Sequence, residues 1–434
     1  MKTLGLDIGT TSVSAVVYST ELGVLAARTV KNDSFLPGKT WERLQDPEHL
    51  YKIATDIIQE LLTEHPDAAA IGLTGQMHGI LYVDADGNSV SPLYIWQDGR
   101  GDLPHPTGST WAEYLSQITG YSLATGYGLV THGYNLHHQL VPDRAVKLCT
   151  IQDYLAMKLA GKTTPVTDIT DAASLGCFHL QDSCFDREAL EKAGIATAML
   201  PEVFSGARLG TGSLGIPVYK AIGDNQASFL GAAAGRRDVL LINMGTGGQV
   251  SVYSPTYLET QTLETRPFPD GGWLLVGASL CGGRSYALLE TFFRETVKMV
   301  TGQDCSAYEA MDKALADSAD LTNLPVVSTL FQGTRKDPSL RGSITGLSPD
   351  NFTPVHLIRG LMQGMAVELY DLYSGYLAKG GIPPVAIIGS GNGLRRNPHL
   401  CRIFETVFSC PVILSKNREE AACGAAIFAV QHHI

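Results

Sequence analysis

One short element occurs twice in this chain, 236 positions apart, and it constrains the fold more than any other feature. Residues 6–10 read LDIGT and residues 242–246 read INMGT. Each copy ends an apolar, strand-like run, enters a glycine–threonine turn and continues into a second β-rich stretch. This spacing exceeds solenoid repeats, which span roughly 20–50 residues. The pattern predicts two domains of similar architecture, residues 1–235 and 236–434.

The two turns have the composition of phosphate-binding loops. Glycine leaves backbone N–H groups accessible, and threonine adds a hydroxyl. Each turn alone also fits an ordinary tight hairpin, but a facing pair would hold a polyphosphate from two sides. We therefore predict nucleotide binding by Gly9, Thr10 and Thr11 in the first turn (residues 9–11) and by Gly245 and Thr246 in the second turn (residues 245–247).

Two aspartates lie where phosphoryl transfer would need them. Transfer of a phosphoryl group to a hydroxyl requires a divalent cation on the phosphates and a carboxylate that accepts the alcohol proton. Asp224 lies between the strand-like residues 218–222 and an alanine-rich helix, so we predict that it is the catalytic base. An ordinary helix N-cap is the alternative interpretation, and the two roles are compatible. Asp7 is the candidate ligand for Mg²⁺, through water.

Two polar clusters follow apolar strands in the first half of the chain. They read QMH at 76–78 and WQDGR at 96–100. Together they supply an amide, an imidazole, a carboxylate and the aromatic face of Trp96, a mixture that suits a polyol, whose hydroxyls both donate and accept hydrogen bonds. The alternatives are a structural histidine at 78, a core tryptophan at 96 and a surface ion pair between residues 98 and 100.

A small-residue loop follows the strand-like residues 385–388. It reads GSGNG at 389–393 and would let a flat ring lie against the backbone, as an adenine pocket requires. A dinucleotide-binding fold is not indicated, because the third glycine of its fingerprint is absent and residue 394 is leucine. The sequence also lacks a complete P-loop motif.

Charge and composition exclude other classes of partner. The chain has 32 Lys and Arg against 43 Asp and Glu, a formal net charge of −11, which argues against a nucleic-acid or anionic-membrane surface. Neither a signal peptide nor an apolar run of about 18 residues is evident, and the eight cysteines form no C-x-x-C pair. These features predict a cytoplasmic protein with reduced thiols. The oligomeric state stays open, with a homodimer among the options.

In these motifs, together with GDNQ at 223–226 and EAACGAA at 420–426, the chain resembles the FGGY carbohydrate kinases of the actin-like superfamily. The resemblance implies an α/β fold with two duplicated ribonuclease-H-like (actin-like ATPase) domains and a cleft between them. It implies sugar binding in the first domain, binding of ATP with Mg²⁺ mainly in the second, and a catalytic base at Asp224. It assigns sugar contacts to Gln76, Met77, His78 and Asp98, and nucleotide loops to Gly9, Thr10, Thr11, Gly245, Thr246, Gly391 and Asn392.

Within the family, QMHG at 76–79 is similar to kinases of the five-carbon ketose xylulose. The stretches WQDGR at 96–100, QAS at 226–228 and DAAS at 171–174 are more similar to kinases of the seven-carbon ketose sedoheptulose. We therefore expect phosphorylation of sedoheptulose at its terminal primary hydroxyl to sedoheptulose 7-phosphate, with xylulose as the alternative substrate. An ATPase on the same fold, or a sugar sensor without catalysis, is the alternative from another class.

Overall fold

The computed structural model describes residues 1–317, 321–334 and 337–433, which form two compact units. The first unit comprises Met1–Gly235, Arg266–Gly271 and Asn417–Ile434, and the second comprises Arg236–Thr265 and Gly272–Lys416. The chain first leaves the first unit after Gly235, where the sequence predicts the domain boundary, and later returns to it twice. Within the described ranges, no helix is both long enough and apolar enough to cross a lipid bilayer.

The first unit is an α/β structure. Its strands up to Gly235 are β1 (Lys2–Ile8), β2 (Ser12–Ser19), β3 (Gly23–Lys31), β4 (Phe35–Leu36), β5 (Leu44–Gln45), β6 (Ala68–Gly75), β7 (Leu81–Val83), β8 (Leu93–Tyr94), β9 (Lys147–Cys149), β10 (Val166–Thr167), β11 (Phe178–His179), β12 (Cys184–Phe185), β13 (Glu202–Val203), β14 (Arg208–Gly210) and β15 (Val218–Gly223). Its helices are α1 (Pro47–Glu64), α2 (Trp111–Thr119), α3 (Gly128–His137), α4 (Ile151–Leu159), α5 (Ile169–Leu175), α6 (Arg187–Lys192) and α7 (Asp224–Ala232), with short 3₁₀ helices at Gly99–Asp102 and Thr197–Met199.

The main sheet of the first unit has the strand order β14-β15-β6-β1-β2-β3. Strands β1, β2 and β3 form an antiparallel meander, and β6 and β15 run parallel to β1. Leu4, Leu6 and Ile8 of β1 are buried, as expected for a central strand covered on both faces. Helix α1 begins where the Asp46 side chain accepts hydrogen bonds from two backbone N–H groups and Pro47 occupies the first turn.

The second unit is built in the same way. Its strands are β16 (Leu240–Met244), β17 (Gly248–Ser254), β18 (Glu264–Pro267), β19 (Trp273–Ser279), β20 (Val326–Ser328), β21 (Ser343–Thr345), β22 (Ile387–Ser390) and β23 (Val412–Leu414), of which β18 ends in the segment Arg266–Gly271 of the first unit. Its helices are α8 (Gly283–Thr301), α9 (Tyr308–Ala316), α10 (Pro354–Ala378), α11 (Gly391–Arg396) and α12 (Pro398–Phe408). The main sheet has the order β18-β19-β17-β16-β22-β23, with β22 parallel to both β16 and β23.

The two main sheets share one topology. The order β3-β2-β1-β6-β15 in the first corresponds to β19-β17-β16-β22-β23 in the second, with the same strand directions. The register corresponds too, because Asp7 is opposite Thr74 on β6 and Asn243 is opposite Ser390 on β22. The duplicated α/β fold predicted from the repeated turn is therefore confirmed.

The last helix, α13 (Glu420–His432), packs in the first unit against α7, β1 and β6. Its contact with α7 is so close that a Cβ atom on Gly424 would lie 1.8 Å from the carbonyl oxygen of Ala227. On the sheet side, a Cβ on Gly5 would lie equally close to the carbonyl oxygen of Ala422. The sequence assigned this helix to the domain 236–434. The structure differs because glycines on α13 and its neighbours allow backbone-to-backbone packing.

Candidate active site

A cavity of about 470 Å³ lies in the first unit. Its lining contains seven residues that the sequence predicted for the site, namely Asp7, Gly9, Thr10, Thr11, Gln76, Trp96 and Asp224. The lining also contains Gln97, Ser228 and Ala421, which the sequence did not single out. The carboxylates, the first turn and part of the polar clusters therefore share one cavity.

Strand register brings these residues together. Ile8 at the end of β1 pairs with Gly75 at the end of β6, and Gly75 pairs in turn with Gly223 at the end of β15. All three strands run in the same direction, so the residues that follow them emerge at the same edge of the sheet. The first turn, Gln76 and Asp224 are those residues.

The two aspartates form an acidic pair in a poorly solvated place. Burial and, to a smaller extent, the negative charges of Asp224 and Glu419 raise the pKa of the Asp7 carboxyl to about 7. Burial also raises the pKa of Asp224, while the positive charges of His78 and Arg266 act in the opposite direction. The cavity therefore concentrates negative charge that a bound cation would stabilise.

The donor set fits a magnesium ion shared with a ligand. Asp7 and Asp224 offer hard carboxylate oxygens, which Mg²⁺ prefers. In the part of the chain that the structure describes, no cluster of three or more His, Cys, Asp or Glu side chains is arranged to hold a metal ion. A protein site with one or two carboxylates suits Mg²⁺ that keeps waters and binds substrate phosphates.

Asp224 begins helix α7 directly after β15, and a buried chain of hydrogen bonds holds this junction. The backbone N–H of Gly223 donates to Thr170 Oγ1 over 2.9 Å, and that hydroxyl donates to Asp168 Oδ1 over 2.6 Å. Lys220 Nζ forms an ion pair with Asp168 Oδ2 at 2.8 Å. The strand end that carries Asp224 is thus tied to α5, and the Asp224 carboxylate itself accepts a 2.8 Å hydrogen bond from Asn225 Nδ2.

Thr10 connects the first turn to both polar clusters. Its hydroxyl donates to Gln76 Oε1 over 3.3 Å and accepts a 3.0 Å hydrogen bond from Trp96 Nε1. Gln76 is buried, whereas Trp96 is 46% exposed and presents its ring to solvent. Trp96 is therefore not the core residue that one sequence interpretation allowed. The turn and the two clusters form one hydrogen-bonded wall of the cavity.

Met77 and His78 follow Gln76 and lie beside the cavity lining. Met77 is buried, with its sulfur 3.9 Å from Asn225 Nδ2. His78 has a left-handed φ of 75° and stacks on Tyr127 at 4.7 Å. Its Nδ1 lies 2.7 Å from the carbonyl oxygen of Ser174 and must donate, because a carbonyl oxygen only accepts. This contact fixes the ring orientation of a histidine whose charge acts on Asp224.

Asp98 is not brought into the cavity lining. It is fully buried, and its Oδ1 accepts from Arg100 Nε at 2.6 Å while its Oδ2 accepts from the backbone N–H of Arg43 at 3.0 Å. Arg100 is buried as well and contacts Asn135, so the pair is not at the surface. The sequence predicted a sugar contact for Asp98, but its oxygens are engaged in anchoring the loop that carries Trp96 and Gln97.

The remaining predicted nucleotide residues lie in the second unit. Gly245 and Thr246 are exposed, and their carbonyl oxygens accept hydrogen bonds from the backbone N–H groups of Gly283 and Arg284 at the start of α8. Gly391 has a φ of 80°, and Asn392 beside it is exposed. By strand register, Gly391 and Asn392 correspond to Gly75 and Gln76 of the first unit.

Some residues around the cavity were missed, and their sequence signals differ in strength. Ser228 lies four residues after Asp224 on α7, so helical spacing places it on the same face and would have identified it. Ala421 comes from α13, at the far end of the chain, within the EAACGAA stretch, whose sequence does not by itself place it at the cavity. Asn32 and Gln45, which contact the first turn, lie in unremarkable polar stretches.

Known protein families match nearly the whole chain. The model of the FGGY family of carbohydrate kinases, N-terminal domain, matches residues 2–233. The model of the C-terminal domain of the same family matches residues 240–432.

Individual relatives agree with this match. The chain is 29% identical to the sedoheptulokinase of Mus musculus and 27% identical to that of Homo sapiens, over 100% of this chain and 98% of each relative. It is 26% identical to the glycerol kinase of Nitrosomonas eutropha, over 98% of this chain and 88% of the relative. The crystal structure of xylulose kinase from Rhodospirillum rubrum has a TM-score of 0.82 at 24% identity, over 99% of this chain and 89% of the other, and supports the fold.

Proposed function

The chain belongs to the FGGY family of carbohydrate kinases, and we propose that it transfers the γ-phosphoryl group of ATP to the terminal primary hydroxyl of a ketose, with sedoheptulose as the preferred substrate. Membership makes the protein an ATP-dependent sugar phosphotransferase. The particular ketose, the hydroxyl that reacts and the residue roles below are our proposal. The observation that carries these roles is the cavity in which Asp7 and Asp224 share a wall with the first turn.

Asp224 is the proposed catalytic base. A hydroxyl oxygen of the sugar forms a bond to the γ-phosphorus as the bond from that phosphorus to the β,γ-bridging oxygen breaks, and the hydroxyl proton passes to the Asp224 carboxylate. This proton transfer is late, because the loose transition state needs little prior activation of the hydroxyl. The positive charges of His78 and Arg266 favour the ionised form of Asp224 against the effect of burial.

Asp7 would hold Mg²⁺, through water, on the ATP phosphates, and the bound ion would neutralise charge that develops on the phosphoryl oxygens. The backbone N–H groups of the first turn are the proposed donors to phosphate oxygens. Gly245, Thr246, Gly391 and Asn392 of the second unit are the proposed further nucleotide contacts. Gln76, His78 and Trp96 provide hydrogen bonds and an aromatic face for the sugar hydroxyls.

Two observations support sedoheptulose over xylulose. The sedoheptulokinases of two mammals match this chain over its full length. Ser228 lines the cavity, and its hydroxyl can form a hydrogen bond with a sugar hydroxyl. This residue belongs to the QAS stretch that resembles sedoheptulose kinases. Xylulose stays the alternative, because kinases of that sugar share the fold.

The deciding experiment measures ADP release by the purified protein with sedoheptulose, xylulose, ribulose and glycerol as acceptors. We expect the highest kcat/KM with sedoheptulose. Equal values for all four acceptors would contradict the substrate proposal. ADP release at full rate without any sugar would support an ATPase, and binding of sugar without turnover would support a sensor.

Asp224→Asn tests the catalytic base. The variant is expected to lower kcat by ~10²–10⁴-fold, the range typical of a lost general base. Asp153→Asn is the matched control, since Asp153 is a buried aspartate of the same unit that is absent from the cavity lining, and its kcat should stay within about threefold of wild type. Retained sugar-dependent turnover in Asp224→Asn would refute the assignment.

A further inference from the structure

Two buried amide side chains hold the first turn by hydrogen bonds to its carbonyl groups. Asn32 Nδ2 donates to the carbonyl oxygens of Gly9 at 3.0 Å and of Thr10 at 3.1 Å. Gln45 Nε2 donates to the same Thr10 oxygen at 2.9 Å. The backbone N–H of Asn32 donates to the carbonyl oxygen of Thr11 at 2.9 Å. Three consecutive carbonyl groups are therefore directed toward Asn32 and Gln45.

The orientation of the carbonyl groups determines that of the N–H groups. In a planar trans peptide, the C=O of one residue points opposite to the N–H of the next. Fixing the carbonyls of Gly9 and Thr10 therefore directs the N–H groups of Thr10 and Thr11 the other way. Asn32 and Gln45 are buried and outside the cavity lining, whereas the residues of the turn line the cavity. The N–H groups are thus directed to the cavity side.

We propose that Asn32 and Gln45 are positioning residues that orient the first turn so that its N–H groups receive the phosphates of ATP. This inference rests on the proposed function and extends it to two residues that do not touch substrate. Their own amide orientations are fixed. Asn32 Oδ1 accepts from Ser34 N at 3.1 Å and from Ser34 Oγ at 2.6 Å, so Nδ2 must face the turn.

Gln45 also links the turn to the sugar side of the cavity. Its Oε1 accepts a 2.8 Å hydrogen bond from Gln76 Nε2, and Gln76 Oε1 accepts from the Thr10 hydroxyl. Thr10, Gln76 and Gln45 thus close a ring of three hydrogen bonds. Asn32 has no part in that ring, so a change at Asn32 should affect nucleotide binding with little effect on sugar binding.

The principal variant is Asn32→Asp, which keeps the acceptor oxygen for Ser34 and replaces the donor Nδ2 with an oxygen. Binding of a non-hydrolysable ATP analogue with MgCl₂, measured by calorimetry, should weaken by at least about tenfold, as expected when hydrogen bonds that orient a charged-ligand site are lost. The Kd of the best sugar from the acceptor panel should change less than about twofold. A nucleotide Kd equal to that of wild type would overturn the proposal.

The second unit offers a matched control. Asn351 is also buried, its Nδ2 donates to the carbonyl oxygens of Asn323 at 3.0 Å and Gly346 at 2.9 Å, and its Oδ1 accepts from Ser348 N at 2.7 Å. Asn351→Asp therefore removes the same kind of buried donor away from the first turn. Equal weakening of nucleotide binding in Asn32→Asp and Asn351→Asp would refute a specific role for Asn32.

Two further measurements test the proposal even if Asn32→Asp fails to fold. Gln45→Glu keeps the acceptor for Gln76 and loses the donor to Thr10, so it should also weaken nucleotide binding. In the wild-type protein, hydrogen–deuterium exchange of residues 9–12 should slow when the ATP analogue and MgCl₂ are added, and unchanged exchange would overturn the proposal. Sugar-dependent ADP release by the same wild-type preparation reports separately whether the proposed function holds.

Discussion

The first and second turns occupy equivalent places in their sheets, but different groups support them. Side-chain amides of Asn32 and Gln45 bind the carbonyl groups of the first turn, which is preceded by the half-buried Asp7. Backbone N–H groups at the start of α8 bind the carbonyl groups of the second turn, and the residue equivalent to Asp7 is Asn243. The two turns follow equivalent strands, but only the first is preceded by a carboxylate at this position.

This difference predicts different roles for the two turns. A carboxylate beside a turn can hold a cation, whereas an amide at the same place contributes only neutral hydrogen bonds. The first turn should therefore respond strongly to changes in charge, and the second turn to changes in backbone shape. Three predictions test this contrast.

The largest expected effect comes from replacing Asp7, the acid that precedes the first turn, with an amide. Asp7→Asn should lower kcat by about 100-fold or more, because the cation that we propose to neutralise phosphate charge would lose the Asp7 carboxylate. Asn243→Ser changes the equivalent residue of the second unit and should lower kcat less than about tenfold, consistent with the loss of a neutral hydrogen bond. Steady-state kinetics at saturating Mg²⁺ measure both. Similar losses in the two variants would remove the proposed asymmetry.

Backbone shape should matter most beside the second turn. Gly391 has a φ of 80°, and a Cβ there would lie 2.5 Å from the carbonyl oxygen of Met244, so Gly391→Ala should destabilise the protein by about 2 kcal/mol. At the equivalent Gly75, φ is not positive and the nearest atom to a Cβ is Ile8 O at 3.0 Å. Gly75→Ala should therefore be the milder change. Urea unfolding of both variants makes the comparison, and a larger loss for Gly75→Ala would contradict it.

The Asp7 carboxyl should also make the stability of the ligand-free protein depend on pH. The pKa of Asp7 is about 7 in the folded protein, against an ordinary value of 3.8. Between about pH 4 and pH 7 the folded state therefore holds a proton that the unfolded state releases, so stability falls as pH rises. Asp7→Asn removes this loss and should raise Tm by ~3 °C at pH 8, with no gain at pH 4. A Tm difference independent of pH would contradict the charge argument, and Asn243→Ser should show no pH-dependent difference.

The sequence predicted which residues gather at the ends of the parallel strands. Asp7, Gln76 and Asp224 were recognisable because each directly follows or ends an apolar strand, and parallel strands bring such positions to one edge. The repeat of the turn also predicted the duplicated fold. These features are local, because a short stretch of sequence is enough to recognise each strand end and each turn.

Features that depend on distant partners were not predictable in the same way. Asp98 has the residue type of a sugar ligand, but its buried pairing with Arg100 and with the backbone of Arg43 becomes visible only in three dimensions. Asn32 and Gln45 are polar residues without a motif, and their role follows from what they touch. The placement of α13 depends on close contacts with strands more than 300 residues earlier in the chain.

That placement of α13 has a consequence for synthesis on the ribosome. The helix is translated after every segment of the second unit, yet it covers β1 and β6 and contributes Ala421 to the cavity. The first unit therefore cannot complete its core while the nascent chain still lacks residues 420–432, whereas all segments of the second unit have by then been synthesised. The first unit thus begins before the second but is completed after it, and its sheet stays partly uncovered until α13 has been synthesised.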